Sequence, residues 1–228
     1  MNKLAKIYND DDPRDLPAYP VTAAARYLGL PYHTLYSWLR PVSFTTEKGY
    51  ASRALIERPK DTQHFSFFNL VEGHIIKALI RAHSVPLGEI RHAIEYCEKE
   101  CEIDRLLVSG LLEVGISSLF VEQFGYLINV GKGSQLALKK MLERYLERIE
   151  YKDHLPVRLI PFVLDREEKL ISISPYVAFG KPVLSHVGIT TEVIAQRFEL
   201  GEKKKTLAED YGIGEAEVEE AIIYESAA

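Results

Sequence analysis

The 228-residue chain has little that would tie it to an oxidising compartment or to a bilayer. It holds two cysteines, Cys97 and Cys101, too few for a disulfide framework, so a reducing, cytoplasmic setting is expected. No run approaches about 18 apolar residues, which excludes a transmembrane helix and any membrane role that needs one. The opening stretch MNKLAKIYNDDDPRD puts acids where a secretory leader needs an apolar segment. Tandem repeats and low-complexity tracts are absent. So are the usual catalytic signatures: there is no His-Glu-x-x-His and no Ser or Cys elbow. Gly131-Lys132-Gly133-Ser134 lacks the spacing of a phosphate loop and reads as a tight turn with Ser134 as a helix N-cap. Cys97 and Cys101 lie one helical turn apart with His92 nearby, but no second pair completes four zinc ligands, so buried thiols are expected. Asp10-Asp11-Asp12 and the C-terminal glutamates fall on an arm and on an exposed helix. These absences predict no metal, no cofactor and no enzyme.

What is present is an uneven charge. The whole chain carries 28 Lys and Arg against 33 Asp and Glu, a net charge of −5. Residues 20–94 hold nine basic against five acidic side chains and five histidines, whereas residues 95–228 hold 16 basic against 24 acidic. A basic segment joined to an acidic remainder suggests a polyanion for the first part and a different partner for the second.

The pattern of elements predicts a mainly α protein with short β-hairpins, of the α+β class. Residues 1–19 read as an extended arm. Val21, Ala24, Ala25 and Leu28 follow helical spacing, and Gly29 stops that helix. Pro31 suits the start of a second helix over 32–40, and Pro41 ends it. Residues 42–65 read as a hairpin-like excursion. Helices follow at 67–83 and from Pro86, the latter with Leu87, Ile90, Ile94, Cys97 and Cys101 in one stripe. A hairpin is expected from 119–121 and 127–130, then an amphipathic helix through Leu138, Met141, Leu142, Tyr145, Leu146 and Ile149. A second hairpin is expected from 157–163 and 169–173. The end of the chain reads as three short helices broken at Gly201 and at Gly212-Ile213-Gly214. This gives an N-terminal winged helix-turn-helix domain over 1–105, a middle hairpin-helix linker over 106–168 and a C-terminal three-helix, helix-turn-helix-like module over 169–228.

Residues 21–40 have the parts of a DNA-binding helix-turn-helix: a small residue at the crossing (Ala25), a glycine in the turn (Gly29) and apolar anchors (Leu30, Leu35, Leu39). In the second helix Leu35, Trp38 and Leu39 share one face. His33, Tyr36, Ser37 and Arg40 lie opposite, and no carboxylate occurs from 32 to 40. Hydrogen-bonding groups, a ring and a fixed cation suit phosphates and base edges. The expected contacts with double-stranded operator DNA are Thr22, Arg26, Tyr32, His33, Thr34, Tyr36, Ser37 and Arg40, with Lys48 and Arg53 as a wing on the backbone.

The stretch VTAAARYLGLPYHTLYSWLRP resembles the N-terminal winged helix-turn-helix of MerR-like regulators. FSFFNLVEGHIIKALIRAHSVPLGEIRHAIEY resembles the segment that follows it in a group of VapB-type antitoxins whose C-terminal half was long catalogued as a domain of unknown function. That domain's pattern stands here as Phe179-Gly180-Lys181-Pro182, Gly201 and LAEDYGIGEAEVEEAIIYE. LINVGKGSQLALKKMLERYLERIEY and LPVRLIPF match the family's middle, so the resemblance covers about residues 19–226 in the family's order. One departure is His186-Val187-Gly188, where the family often has Gly-Thr-Arg. The resemblance implies an antitoxin of a type II toxin–antitoxin system, a transcriptional autorepressor that neutralises a PIN-like ribonuclease.

Residues 206–224 imitate a second helix-turn-helix, yet the would-be recognition helix carries Glu215, Glu217, Glu219, Glu220 and Glu225 and no basic residue. Phosphates repel such a face, so a protein partner is expected there, with the toxin contact at Glu215, Glu217, Glu219, Glu220 and Tyr224. A homodimer is expected, since one short recognition helix reads few base pairs, with an interface from the helices at 67–83 and 87–101 or the segment near 119–130. Alternatives are a MerR-like regulator that senses a small ligand, which would need an aromatic pocket behind the DNA module, and an enzyme using the C-terminal carboxylates.

Overall fold

The computed structural model describes residues 12–46, 49–59, 63–82, 86–112, 120–122, 125–126, 132–161 and 169–226. The architecture is mixed α+β, helices joined to two-stranded antiparallel ladders. Strand β1 (Tyr19–Pro20) leads directly into helix α1 (Val21–Leu28). The apolar face of α1 is buried, and Gly29 ends the helix at φ 58°, a left-handed position that costs glycine nothing. Its N–H and that of Leu30 take the carbonyls of Arg26 and Ala25, both at 2.9 Å. Pro31, with φ already near the helical value, opens α2 (Tyr32–Trp38). Helix, glycine turn and helix therefore stand where the spacing of apolar residues puts them. The paired strands β2 (Val42–Thr46) and β3 (Gly49–Arg53) follow, and β4 (His64–Phe65) pairs with β1.

Helix α3 (Phe67–Ala82) is the centre of the molecule. Phe67, Phe68, Leu70, Val71, Ile75, Ile76 and Leu79 are all buried, as expected of a helix apolar on every side. Its buried Lys77 donates to the Leu28 carbonyl at 2.6 Å, a cation placed at the C-terminal end of α1. Helix α4 (Leu87–Glu100) buries Ile90, Ala93, Ile94 and Cys97. The stripes on α3 and α4, the expected source of a dimer interface, are thus consumed by the chain's own core.

The arm is not extended throughout. Arg14 turns back on Asp12 at 2.6 Å, and Asp15 meets buried Arg105 at 2.8 Å, which also grips Glu72 at 2.9 Å. Both guanidinium groups lie over the Phe68 ring, at 5.5 and 5.1 Å. Ion pairing and stacking close a segment that its Asp and Pro content reads as open.

The middle departs from the sequence reading in two places. Residues 120–122 are helical, so the expected first hairpin does not form there, and its second arm at 127–130 lies outside the described residues. Phe120 and Val121 are buried, and that burial overrides their β-prone composition. Helix α5 (Lys132–Leu146) begins before Ser134, which therefore lies within the helix and not at its cap. After α5, β5 (Ile149–Lys152) pairs with β6 (Leu155–Leu159) across a tight turn in which Asp153 and His154 take φ 51° and 62°. The chain reverses one element earlier than expected. Of the expected 157–163 with 169–173 pairing, the described residues show one bridge, Leu159 with Ile173, closed by bonds of 2.9 and 2.8 Å. Residues 162–168 lie outside the described residues.

One hydrophobic cluster runs from Tyr19 to Ile173 and joins the helix-turn-helix, α3, α4 and the β5–β6 hairpin. A second is formed by β7 (Ile171–Ser172), β8 (Val183–Leu184), α6 (Thr191–Glu199), α7 (Lys204–Tyr211) and α8 (Glu215–Ser226), around Leu184, Ile194, Leu207, Val218 and Tyr224.

Candidate nucleic-acid interface and protein-binding face

Leu35 and Trp38 anchor α2 in the core, and this turns Tyr32, His33, Tyr36 and Arg40 to solvent. Three of them are organised. The rings of Tyr32 and Tyr36 stack with centroids 5.6 Å apart and planes 20° apart, and the Arg40 guanidinium lies 5.3 Å from the Tyr36 centroid. The result is a ladder of ring, ring and cation that runs along one edge of α2 and ends at Arg40, two residues past the helix. Thr22 on α1 is also exposed, and Thr34 and Ser37 are half-buried, with the Ser37 hydroxyl donating to the Thr34 carbonyl at 2.6 Å.

Other expected DNA contacts are engaged elsewhere. Arg53 donates to Glu57 Oε1 through Nε and Nη2, at 3.0 and 2.7 Å. Burial works against its charge, but Glu57 outweighs that and raises its pKa, with Glu95 and Glu98 adding to the effect. Arg91 spans the same carboxylates, 4.0 Å from Glu95 and 3.3 Å from Glu98, and burial lifts Glu98 above the usual carboxylate range. Arg53 thus belongs to an acidic patch where the sequence reading has a wing contact. Lys48 lies outside the described residues. Arg26 projects from α1 toward the end of the chain and pairs with Glu225 at 2.6 Å.

That pair is part of a joint between the first helix and the last. The other oxygen of Glu225 accepts from the Thr191 hydroxyl at the start of α6. The Tyr224 hydroxyl donates to the Tyr27 carbonyl at 3.3 Å. Tyr224 is buried, so it stands in the joint and not on the outer face of α8. The glutamates of α8 differ among themselves. Glu215 is exposed, and Glu219 is exposed and 3.2 Å from Lys204. Glu217 faces His186 at 3.3 Å and also accepts from the Gly214 N–H at 2.8 Å. Glu220 is half-buried. Partner residues 197 and 199 positions apart leave no local pattern, which is why the joint is invisible to sequence reasoning.

Among the described residues no cluster of three or more His, Cys, Asp or Glu is placed to hold a metal ion. Cys97 is buried, and burial pushes its thiol up to about 12. An open cavity of about 460 Å³ lies between the arm and the β5–β6 hairpin, lined by Arg14, Lys152, Asp153, Leu155, Val157 and Tyr176. One aromatic among three charged side chains is not the aromatic pocket that ligand sensing behind the helix-turn-helix calls for. No helix among the described residues is long and apolar enough to cross a membrane.

Residues 171–224, the second cluster, match a family model described as a protein of unknown function, DUF433. Over nearly its full length the chain is similar to a protein called "Putative antitoxin VapB45" from Mycobacterium tuberculosis (strain ATCC 25618 / H37Rv). The two are 24% identical over 226 residues, 91% of this chain and 93% of that one. The fold is similar to the crystal structure of Rv2018 from Mycobacterium tuberculosis, with a TM-score of 0.67 at 20% identity over 91% of this chain and 98% of that one.

Proposed function

We propose that the chain is the antitoxin of a type II toxin–antitoxin pair, which binds its own operator as a transcriptional repressor and neutralises a PIN-like ribonuclease. The observation that carries the DNA half is the ladder of Tyr32, Tyr36 and Arg40, with His33 beside it, on an exposed helix edge. In a major groove the guanidinium donates to guanine or phosphate, the imidazole reaches a base edge, and the phenols supply hydrogen bonds and apolar contact with thymine methyls. Stacking fixes the Arg40 side chain before DNA arrives, which lowers the entropy lost on binding. Thr22, Thr34 and Ser37 flank this edge. Arg26 and Arg53 support it indirectly, by holding α1 and the β2–β3 hairpin.

The likeness to a chain called an antitoxin supports a protein partner and points away from an enzyme. Glu215 and Glu219 on α8 are the accessible carboxylates for basic groups that a ribonuclease uses to hold RNA. Two chains are proposed to act together on DNA.

The test is a mobility shift with the DNA upstream of the gene, alongside an RNA-cleavage assay with the neighbouring ribonuclease. Wild type is expected to shift the DNA and to stop cleavage. An Arg40→Ala/His33→Ala double variant should stop cleavage but lose the shift, and unchanged affinity in that variant removes α2 from the reading.

A further inference from the structure

Three consecutive residues ahead of Lys181 stand at positive φ: Ala178 at 47°, Phe179 at 54° and Gly180 at 79°. Glycine reaches this region freely, whereas an L side chain there is strained, and such strain persists only where the surroundings hold it. Here they do. Gly180 is pressed so closely on β1 that a Cβ at its position would lie 2.2 Å from the Tyr19 hydroxyl oxygen. The Gly180 N–H bonds the Val177 carbonyl at 2.9 Å, and that of Lys181 bonds Ala178 at 3.1 Å. The Lys181 ammonium is tied to Glu192 at 2.7 Å, an interaction that raises the one pKa and lowers the other.

All this fixes a turn whose one large side chain does nothing inside the protein. Phe179 is 99% exposed, more than any other large apolar residue among those described, and Tyr176 on the same loop is 56% exposed. The backbone that carries the ring is fixed before a partner arrives, and a large aromatic held out in water on such a turn meets the requirement for a binding anchor. Charge selects the partner. Residues 169–228 carry six basic against ten acidic side chains. A second copy docked across Phe179 would oppose two acidic modules, whereas a protein that holds RNA presents a basic surface.

We infer that Phe179 is the anchor by which the C-terminal module grips a folded protein, inserting into an apolar pocket rimmed by basic side chains. The inference rests on the ribonuclease reading above and names the residue on which that contact turns. The net acidity of the module then supplies longer-range attraction to that basic rim.

Phe179→Ala, Phe179→Asp and Phe179→Gly in the full chain test it, with the purified ribonuclease-like protein encoded beside this chain as the probe. Affinity should fall about thirty-fold or more for each, with RNA cleavage restored to match. Operator binding should be unchanged. Glycine at a left-handed position relieves strain, so Phe179→Gly should keep or raise the thermal midpoint while losing the partner. Binding and stability falling together would overturn the inference. If wild type and Phe179→Ala bind the probe equally, the inference fails and the ribonuclease reading stands. If wild type neither binds nor inhibits the probe, both fail. If wild type is a dimer in light scattering and Phe179→Asp a monomer, the anchor serves a second copy, and the inference is again overturned.

Discussion

His74 shows how much one enclosed side chain can say about stability. Its ring is buried in α3, Nε2 donates to the Tyr145 carbonyl at 3.1 Å, and burial pushes its pKa down to about 3, with Lys77 and Arg148 adding to the shift. In the unfolded chain an ordinary histidine takes up a proton near pH 6.5. Between those values the unfolded state binds a proton that the folded state refuses, so stability falls as pH drops below about 6.5, by at most about 1.4 kcal/mol per unit. Urea midpoints at pH 7.5 and pH 5 should therefore differ in wild type and converge in His74→Gln, which can still donate to Tyr145. Equal slopes in both proteins would assign the acid sensitivity elsewhere. At the same scale, Arg40→Ala and His33→Ala should each weaken operator binding by about 1–3 kcal/mol if they reach base edges, read by mobility shift. These two residues were legible because helical spacing alone sets them opposite Leu35 and Trp38. The partners of Arg26 and Tyr224 were not legible, because spacing shows which way a side chain leaves its helix and not what distant element meets it.

At the scale of elements, α8 is bound to the helix-turn-helix by a charge and by a hydroxyl. Glu225 is nearly enclosed, and both its oxygens are engaged, by Arg26 and by Thr191. Removing its charge leaves the Arg26 guanidinium half-buried without its partner, so Glu225→Gln should cost about 1–3 kcal/mol in chemical denaturation. A cycle of Arg26→Ala and Glu225→Ala should show a coupling of about 0.5–3 kcal/mol, and additive losses would mean that the two parts are held by apolar packing alone. Amphipathic stripes and glycine stops made α1, α2, α4, α6, α7 and α8 readable, since each rule is local. The hairpins were harder. Short apolar runs such as 119–121 fit helix and strand alike, and burial of Phe120 decides between them only in three dimensions. The β5–β6 turn carries Asp153 and His154 at positive φ, where Asn-Gly would have announced it.

Across the whole molecule the imbalance between a basic first part and an acidic remainder limits how the chain can meet DNA. With Arg53 held by Glu57 and Arg26 by Glu225, the seven-residue α2 itself carries no fixed cation, Arg40 follows two residues past its end, and the helix is only about 10 Å long. Two chains on half-sites about 34–36 Å apart would double the reading frame without adding many phosphate contacts. If each chain neutralises about two phosphates, the affinity of the pair should fall with salt at a log–log slope of about −4. On the proposed DNA-binding function, the acidic C-terminal half would repel the duplex at longer range and keep non-specific binding low, so base readout would carry more of the affinity than in a strongly basic repressor. A salt titration of operator binding with light scattering of the complex measures both quantities. The expected result is two chains per palindromic site, a shallow slope, and a slope shallower still by about 2 in Arg40→Ala if the guanidinium sits on phosphate. An unchanged slope with relaxed sequence preference would put Arg40 on a base instead. A wild-type slope beyond about −8, or one chain per site, would mean that cations outside α2 dominate, and the ladder of Tyr32, Tyr36 and Arg40 would then be a minor part of the interface.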